Sequence, residues 1–249
     1  MEKTGKHKKR YGLVGRNISY SFSKGYFSKK FENLGLNNHS YENFDLTNIE
    51  EFKDLLVQHN LSGLNVTIPY KEQVIPFLNE LEGAAKKIGA VNTIKFSPNG
   101  IKGFNTDAFG FQKSLEKKLK LYHNNALILG TGGASKAVAF VFEQLDINYK
   151  FVSRAASEEQ FSYEELDEDI ITSHQIIVNC TPLGTYPNIE DKPDIPYKFL
   201  NSSHFLFDLI YNPDKTAFLK SGEAAGAQIQ NGALMLQYQA EEAWRIWNS

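Results

Sequence analysis

Cysteine is nearly missing from this chain: Cys180 is the only one in 249 residues, so no disulfide can close within it and a reducing compartment suits it. Long apolar runs are missing too. None approaches the ~20 residues of a membrane span, and no apolar segment follows the basic start as a secretory leader requires. There is no strong charge imbalance. Lys and Arg number 27 against 29 Asp and Glu, and a net charge of −2 gives no general attraction to nucleic acid or anionic membrane. The one basic concentration, Lys3, Lys6, Lys8, Lys9 and Arg10, reads as a solvated terminus. No Cys/His cluster has zinc spacing, so no metal is expected, and the scattered histidines offer no obvious catalytic candidate. With 41% hydrophobic and 22% charged residues, the chain reads as a cytoplasmic globular protein of one large domain or two ordinary ones.

Strand-like and helix-like patterns alternate from Tyr11 onward, which predicts an α/β fold with mostly parallel sheets, in two series. In the first, Tyr11 to Gly15, Tyr41 to Phe44, Leu64 to Ile68 and Val91 to Lys95 read as strands, with helices over Ser23 to Leu34 and Ile49 to Val57. Ser97-Pro98-Asn99-Gly100 reads as a hairpin turn, so the first sheet is expected to end in an antiparallel pair. A helix from about Ala108 to Lys118 leads into the second series. Its strands are Ala126 to Leu129, Tyr149 to Ser153, Ile176 to Asn179, Phe205 to Ile210 and Gln228 to Gln230. A final amphipathic helix covers Ala233 to Trp247.

The segment from Ala126 to Val138 is the richest in information. Four apolar residues without polar alternation suit a central parallel strand, and Gly130, Gly132 and Gly133 follow at once. Such a turn into a helix start lets a pyrophosphate approach main-chain N–H groups, although the same glycines also suit a tight connection with no ligand. The next strand ends in Ser153-Arg154, where an acidic residue would accept the ribose hydroxyls of NAD. An arginine there suits a 2′-phosphate, hence NADP, unless it is only a surface loop residue.

In the first series Asn65 and Thr67 are expected on one face of a strand, and Pro69 to open a helix with Lys71 in its first turn. A cation there opposes the helix dipole and suits proton transfer, while the plain alternative is an exposed lysine offset by Glu72. Asp107 stands at the start of the connecting helix, as a carboxylate near the cleft or as a cap in competition with Thr106. Ser19, Ser21 and Ser23 precede the first helix and could hold a carboxylate, or Ser23 could simply cap it.

Taken in order, these segments resemble the shikimate dehydrogenase family over nearly the whole chain. The resemblance rests on Ser21-Phe22-Ser23, Asn65 to Lys71, Gly89 to Thr93, Asn105-Thr106-Asp107, Gly130 to Ala134, Asn179 to Gly184, Asp208 to Pro213 and Gly232 to Ala240. It implies NADPH-dependent reduction of 3-dehydroshikimate to shikimate, with Lys71 and Asp107 as the catalytic pair. It also implies that Ser21 and Ser23 bind the substrate carboxylate, that Asn65, Thr67, Asn92 and Gln239 contact ring hydroxyls or shape the pocket, and that Tyr211 lines it. Gly130, Thr131, Gly132, Gly133, Ala134, Ser153, Arg154, Thr181, Leu183 and Gly232 are the expected cofactor contacts. The expected plan is a substrate domain of residues 1–107 and 233–249, and a Rossmann-like NADP domain of residues 108–232, as a monomer or homodimer. Tyr20, Lys24-Gly25, Ser153 and Thr185 depart from the family pattern. A quinate/shikimate dehydrogenase using NAD, or a catalytically silent cofactor-binding homologue, are the alternatives; Arg154 speaks against the first, and the retention of Lys71 and Asp107 against the second.

Overall fold

A computed structural model of the chain describes residues 8–19, 21–57, 61–157 and 160–249, so Lys3, Lys6 and Tyr20 lie outside the described residues. The chain forms two compact units, residues 1–106 with 240–249, and residues 107–239. Both are α/β.

The first unit contains β1 (Lys9–Gly15), α1 (Phe22–Asn33), β2 (His39–Asp45), α2 (Phe52–Val57), β3 (Leu61–Val66), β4 (Glu80–Leu81), α3 (Gly83–Ile88), β5 (Thr93–Ser97) and β6 (Gly100–Phe104). Its sheet has the order β2-β1-β3-β5-β6-β4. Both neighbours of β1 run parallel to it, and β5 is antiparallel to β3 and β6. The alternation in β1 explains the two-sided core: Tyr11 and Leu13 join Phe27, Phe31 and Trp247 on one face, while Val14 joins Phe52, Leu64 and Ile94 on the other. Trp247 fastens the chain's last helical turn by donating its indole N–H to the Ile94 carbonyl at 3.0 Å.

Several expectations need correcting here. The hairpin forms at Ser97 to Gly100, where the Ser97 hydroxyl accepts the Asn99 N–H and donates to the Gly100 carbonyl. It does not end the sheet, because β4 pairs in parallel with β6 along the edge. Two residues are too few to show a period. No helix starts at Pro69; residues 68–74 are a run of turns, with a cis Ile68–Pro69 bond and one 3-10 turn over Ile75–Phe77. Two of the carbonyls that such a helix would use are engaged elsewhere, although the Tyr70 carbonyl does accept the Val74 N–H. Ile68 accepts from the Arg16 N–H and Lys71 from the Val91 N–H, while the Ile75 N–H turns back to Glu72. The third strand stops at Val66, so Thr67 sits just beyond it, although its N–H still bonds to Val14.

The second unit follows from α4 (Thr106–Leu115), whose first residue closes the first unit. It continues with β7 (Asn125–Leu129), α5 (Gly133–Gln144), β8 (Asn148–Ser153), β9 (Gln160–Ser162), α6 (Glu168–Ser173), β10 (Ile176–Asn179), β11 (Phe205–Asp208), α7 (Ala217–Ala224), β12 (Gln228–Gln230) and the start of α8 (Ala233–Trp247), whose residues from Ala240 onward belong to the first unit. Every pairing in its sheet is parallel, in the order β12-β11-β10-β7-β8-β9. That is the doubly wound arrangement, with its reversal of direction between β7 and β10. Ala126 to Leu129 are all 0% exposed, as a strand covered on both faces must be. The fourth strand of this series stops at Asp208, not Ile210, because the Ile210 N–H bonds to the Asp208 carboxylate instead of a neighbouring strand. The connecting helix starts two residues earlier and ends three earlier than expected, at 106–115 instead of 108–118.

Candidate active site

In an open α/β sheet a ligand crevice lies outside the carboxyl ends of the strands where the winding reverses. In the first unit that place is between β1 and β3, since β2 lies on one side of β1 and β3 on the other. The segment after β1 carries Ser21 and Ser23, and the segment after β3 carries Thr67 and Lys71. Topology alone therefore brings the segments bearing three expected substrate residues and the expected catalytic Lys71 to one sheet end.

Hydrogen bonds tie the deeper ones together. The Tyr41 hydroxyl donates to Asn65 Oδ1 at 2.8 Å, and Asn65 Nδ2 donates to Thr93 Oγ1 at 3.2 Å and the Asn92 carbonyl at 3.3 Å. Asn92 Oδ1 accepts the Thr106 N–H at 2.7 Å and the Thr106 hydroxyl at 3.2 Å. Tyr41 is also bonded to Ser23, and burial holds its hydroxyl protonated, far above the ordinary tyrosine range, with the Ser23 bond pulling weakly the other way. Ser23, Tyr41, Asn65, Asn92, Thr93 and Thr106 are all buried. A chain of satisfied bonds in a low-dielectric interior fixes rotamers, so Asn65 and Ser23 are pre-set.

Around this frame the other candidates fall as follows. Ser21, not Ser23, is the cap of α1; its hydroxyl accepts the Ser23 N–H at 3.1 Å, which leaves its O–H proton to donate. Lys71 is half-buried in the turn after Pro69, so a helix dipole has no part in its placement. Asp107 is the second residue of α4 rather than its cap, and only 8% exposed. The Asn92–Thr106 bonds fix where that helix begins, and a carboxylate in a first helical turn is favoured by the helix dipole. Gln239 is buried in α8 and donates to the Leu236 carbonyl at 3.1 Å, whereas Tyr211 is exposed.

In the second unit the reversal between β7 and β10 places the glycine turn beside the turn after β10. Gly130 has φ +99°, a conformation that side-chain-bearing residues avoid, and a Cβ there would lie 3.1 Å from Thr181 Cγ2. Gly132 caps α5 with no side-chain bond, and no acidic residue lies in the first turn. Thr131 and Gly132 are exposed. An uncapped helix start open to solvent and free of negative charge suits a pyrophosphate. Asn179 organises the opposite turn: its Oδ1 accepts both the N–H (3.0 Å) and the hydroxyl (2.6 Å) of Thr181, whose Oγ1 accepts the Leu183 N–H at 3.3 Å. Asp208 holds Asn179 Nδ2 at 3.1 Å and accepts the Thr216 hydroxyl at 2.6 Å. Burial pushes the Asp208 carboxyl up to about 6, against the pull of Thr216, Ile210 and Asn179. Burial, with the Asp208 charge, pushes the Cys180 thiol up as well, which excludes it as a ready thiolate.

Ser153 closes β8 and is occupied locally, donating to the Ala155 carbonyl at 2.8 Å and accepting its N–H at 3.2 Å; Arg154 beside it is exposed. Gly232 donates its N–H to the Ile210 carbonyl at 3.0 Å, and a Cβ on it would meet the Leu209 carbonyl at 2.1 Å. Close packing on the end of β11 thus already demands that glycine. Sequence reading missed Tyr41, Thr93, Asn179 and Asp208 as site-builders. Asn179 and Asp208 stood inside motifs that were noticed, yet their partners lie 29 residues apart in the chain.

Comparison with known proteins bears on what these sites serve. Residues 13–94 match the family described as the shikimate dehydrogenase substrate binding domain. A shikimate dehydrogenase (NADP(+)) of Methanococcus vannielii is 33% identical over 258 residues, covering 95% of this chain and 90% of the relative. Among solved structures, a chorismate mutase/shikimate 5-dehydrogenase fusion protein from Clostridium acetobutylicum superposes with a TM-score of 0.88 at 35% identity, covering 97% of this chain and 92% of that one. The shikimate 5-dehydrogenase of Thermus thermophilus, in complex with NADP(H) and shikimate, gives a TM-score of 0.85 at 30% identity, covering 96% and 93%.

Proposed function

The chain belongs to the shikimate dehydrogenase family, and on that premise we propose how its own residues divide the work. It is an oxidoreductase that uses NADP to interconvert 3-dehydroshikimate and shikimate. Likeness to NADP-dependent relatives over nearly the full length is the observation that carries this reading.

Bound NADPH supplies the hydride for the ketone carbon. As that carbon is reduced, its oxygen gains alkoxide character, and the Lys71 ammonium stabilises it and donates the proton; in the reverse direction the Lys71 amine takes the proton back. Asp107 orients the hydroxyl and the lysine. Ser21 and Ser23 take the carboxylate through their hydroxyls, Ser21 with the proton its capping role leaves over and Ser23 by turning its proton from Tyr41 to the substrate. Asn65, Thr67, Asn92 and Gln239 read the ring hydroxyls, and Tyr211 lines the pocket. Because Asn65 and Asn92 are bonded into one buried frame, little ordering of them remains to be done when substrate arrives. For the cofactor, the amides of Gly132 to Ala134 at the uncapped start of α5 hold the pyrophosphate, and Gly130, Thr131, Thr181, Leu183 and Gly232 complete the cradle. Arg154 takes the ribose 2′-phosphate, with Ser153 shaping the turn that carries it.

No helix among the described residues is long and apolar enough to cross a membrane. We place the enzyme in the cytoplasm, as a monomer or homodimer. The deciding experiment measures initial rates with shikimate and with quinate, each with NADP+ and NAD+. Shikimate with NADP+ is expected to give the highest kcat/KM; equal rates with quinate and NAD+ replace this reading with a broader dehydrogenase.

A further inference from the structure

The segment that delivers Ser21 and Ser23 is held from outside by the last residues of β2. Asp45, an exposed residue at the end of that strand, turns its carboxylate on two successive amides: Oδ1 accepts the Asn17 N–H at 2.8 Å and Oδ2 the Ile18 N–H at 3.2 Å. Asn43, on the same strand, donates its Nδ2 to the Ile18 carbonyl at 2.9 Å. The Leu46 N–H bonds to the Gly15 carbonyl at 2.9 Å. Four bonds from Asn43, Asp45 and Leu46 therefore grip residues 15–18. The grip is transmitted onward, because the Ile18 carbonyl that Asn43 holds also accepts the Ser21 N–H at 3.1 Å, and Ser21 in turn caps α1 through the Ser23 N–H. It also has something to hold. Asn17 has φ +57°, a left-handed conformation that a non-glycine residue adopts only where its surroundings secure it.

We propose that Asp45 is a positioning residue for the substrate carboxylate: by clamping the Asn17 and Ile18 amides it sets where the Ser21 and Ser23 hydroxyls stand. A carboxylate suits this task because it accepts two N–H groups at once, and bonds to an ionised acceptor are the stronger kind. The inference rests on the assignment of Ser21 and Ser23 to the carboxylate. It makes Asp45 a determinant of substrate affinity that touches neither the reacting atoms nor the cofactor.

The test is steady-state kinetics of shikimate oxidation on the full chain and on Asp45→Ala and Asp45→Asn, repeated with shikimate methyl ester. Asp45→Ala is expected to raise KM for shikimate by about tenfold, as the loss of charge-assisted bonds implies, with kcat within about twofold and KM for NADP+ unchanged. Asp45→Asn, which keeps an acceptor for only one amide, is expected to raise KM by about threefold. With the methyl ester, whose carboxylate is masked, the unmodified and Asp45→Ala proteins are expected to show kcat/KM values within about twofold of each other. An unchanged KM for shikimate in Asp45→Ala, or the same loss with ester and acid, overturns the proposal and leaves the dehydrogenase reading standing. Failure of the unmodified chain to oxidise shikimate overturns that reading, and this proposal with it.

Discussion

In the first unit, buried side chains do the organising: Ser23, Tyr41, Asn65, Asn92, Thr93 and Thr106 bond to one another beneath the sheet end. In the second, the turn at Thr131 and Gly132 is exposed and offers main-chain amides. Under the proposed division of roles, the difference follows from what each unit would recognise. A small ring with several hydroxyls and a carboxylate is distinguished by where each polar group stands, so the donors must be held rigidly. A pyrophosphate is mostly charge, which the amides of a helix start meet without side chains. Substitutions in the first unit should therefore damage chemistry and substrate affinity, and those at the second unit's cofactor positions should damage cofactor affinity alone.

The largest test of that contrast is Lys71→Ala. Removing a general acid is expected to lower kcat by about a thousandfold, with a much smaller change in KM for shikimate and none in KM for NADP+. A near-normal kcat removes Lys71 from the chemistry and breaks the comparison at its centre.

Asp208 probes a buried side-chain network of the second unit. Its folded value near 6 lies above its ordinary 3.8, so the folded state holds the proton more tightly than the unfolded chain does. Between about pH 4 and pH 6 the unfolded chain releases that proton first, and this group's contribution to stability falls as pH rises, by about 3 kcal/mol in all, then levels off above pH 6. Asp208→Asn cannot titrate. The stability of the unmodified protein minus that of the variant, from urea denaturation at each pH, should fall across that window and be flat above it; a difference independent of pH rules out the raised carboxyl.

Tyr41→Phe is the corresponding test in the first unit. It removes the donor to Asn65 Oδ1 and leaves a buried acceptor unpaired, for a loss of about 2 kcal/mol in urea denaturation together with a higher KM for shikimate. If stability falls while KM for shikimate stays put, the network supports the fold without setting the substrate site.

What the sequence disclosed follows the same line between near and far. Strand cores such as Ile176 to Asn179 and the last helix from Ala233 to Trp247 were legible because their patterns are local. The segments bearing Ser21, Asn65 and Gly130 could be read as candidate sites because each motif is contiguous. Tyr41 and Asp45 could not, since each acts on residues 18 to 28 positions away, and nothing local distinguishes them from ordinary strand residues. The helix expected at Pro69 failed for the same reason: the Lys71 carbonyl it needed is claimed by Val91, 20 residues on. The six-residue helices Gly83–Ile88 and Glu168–Ser173 are shorter than two full turns and show no readable period.

Arg154→Ala gives the smallest expected effect and the sharpest one for the second unit. Arg154 is exposed and directly follows β8, the strand after the glycine turn and its helix, so the contact proposed for it with a 2′-phosphate would be a solvent-facing one. A charge-assisted contact of that kind is worth about 1.5 kcal/mol, which is about a tenfold rise in KM for NADP+. NAD+ has no 2′-phosphate, so its KM should not move, and neither should kcat or KM for shikimate, because the buried frame of the first unit does not involve this residue. The ratio of kcat/KM for NADP+ over NAD+ is therefore the quantity to measure. A tenfold fall in that ratio assigns the 2′-phosphate to Arg154, whereas an equal loss with both cofactors means that the arginine supports the cradle in general and that the choice of NADP is made elsewhere.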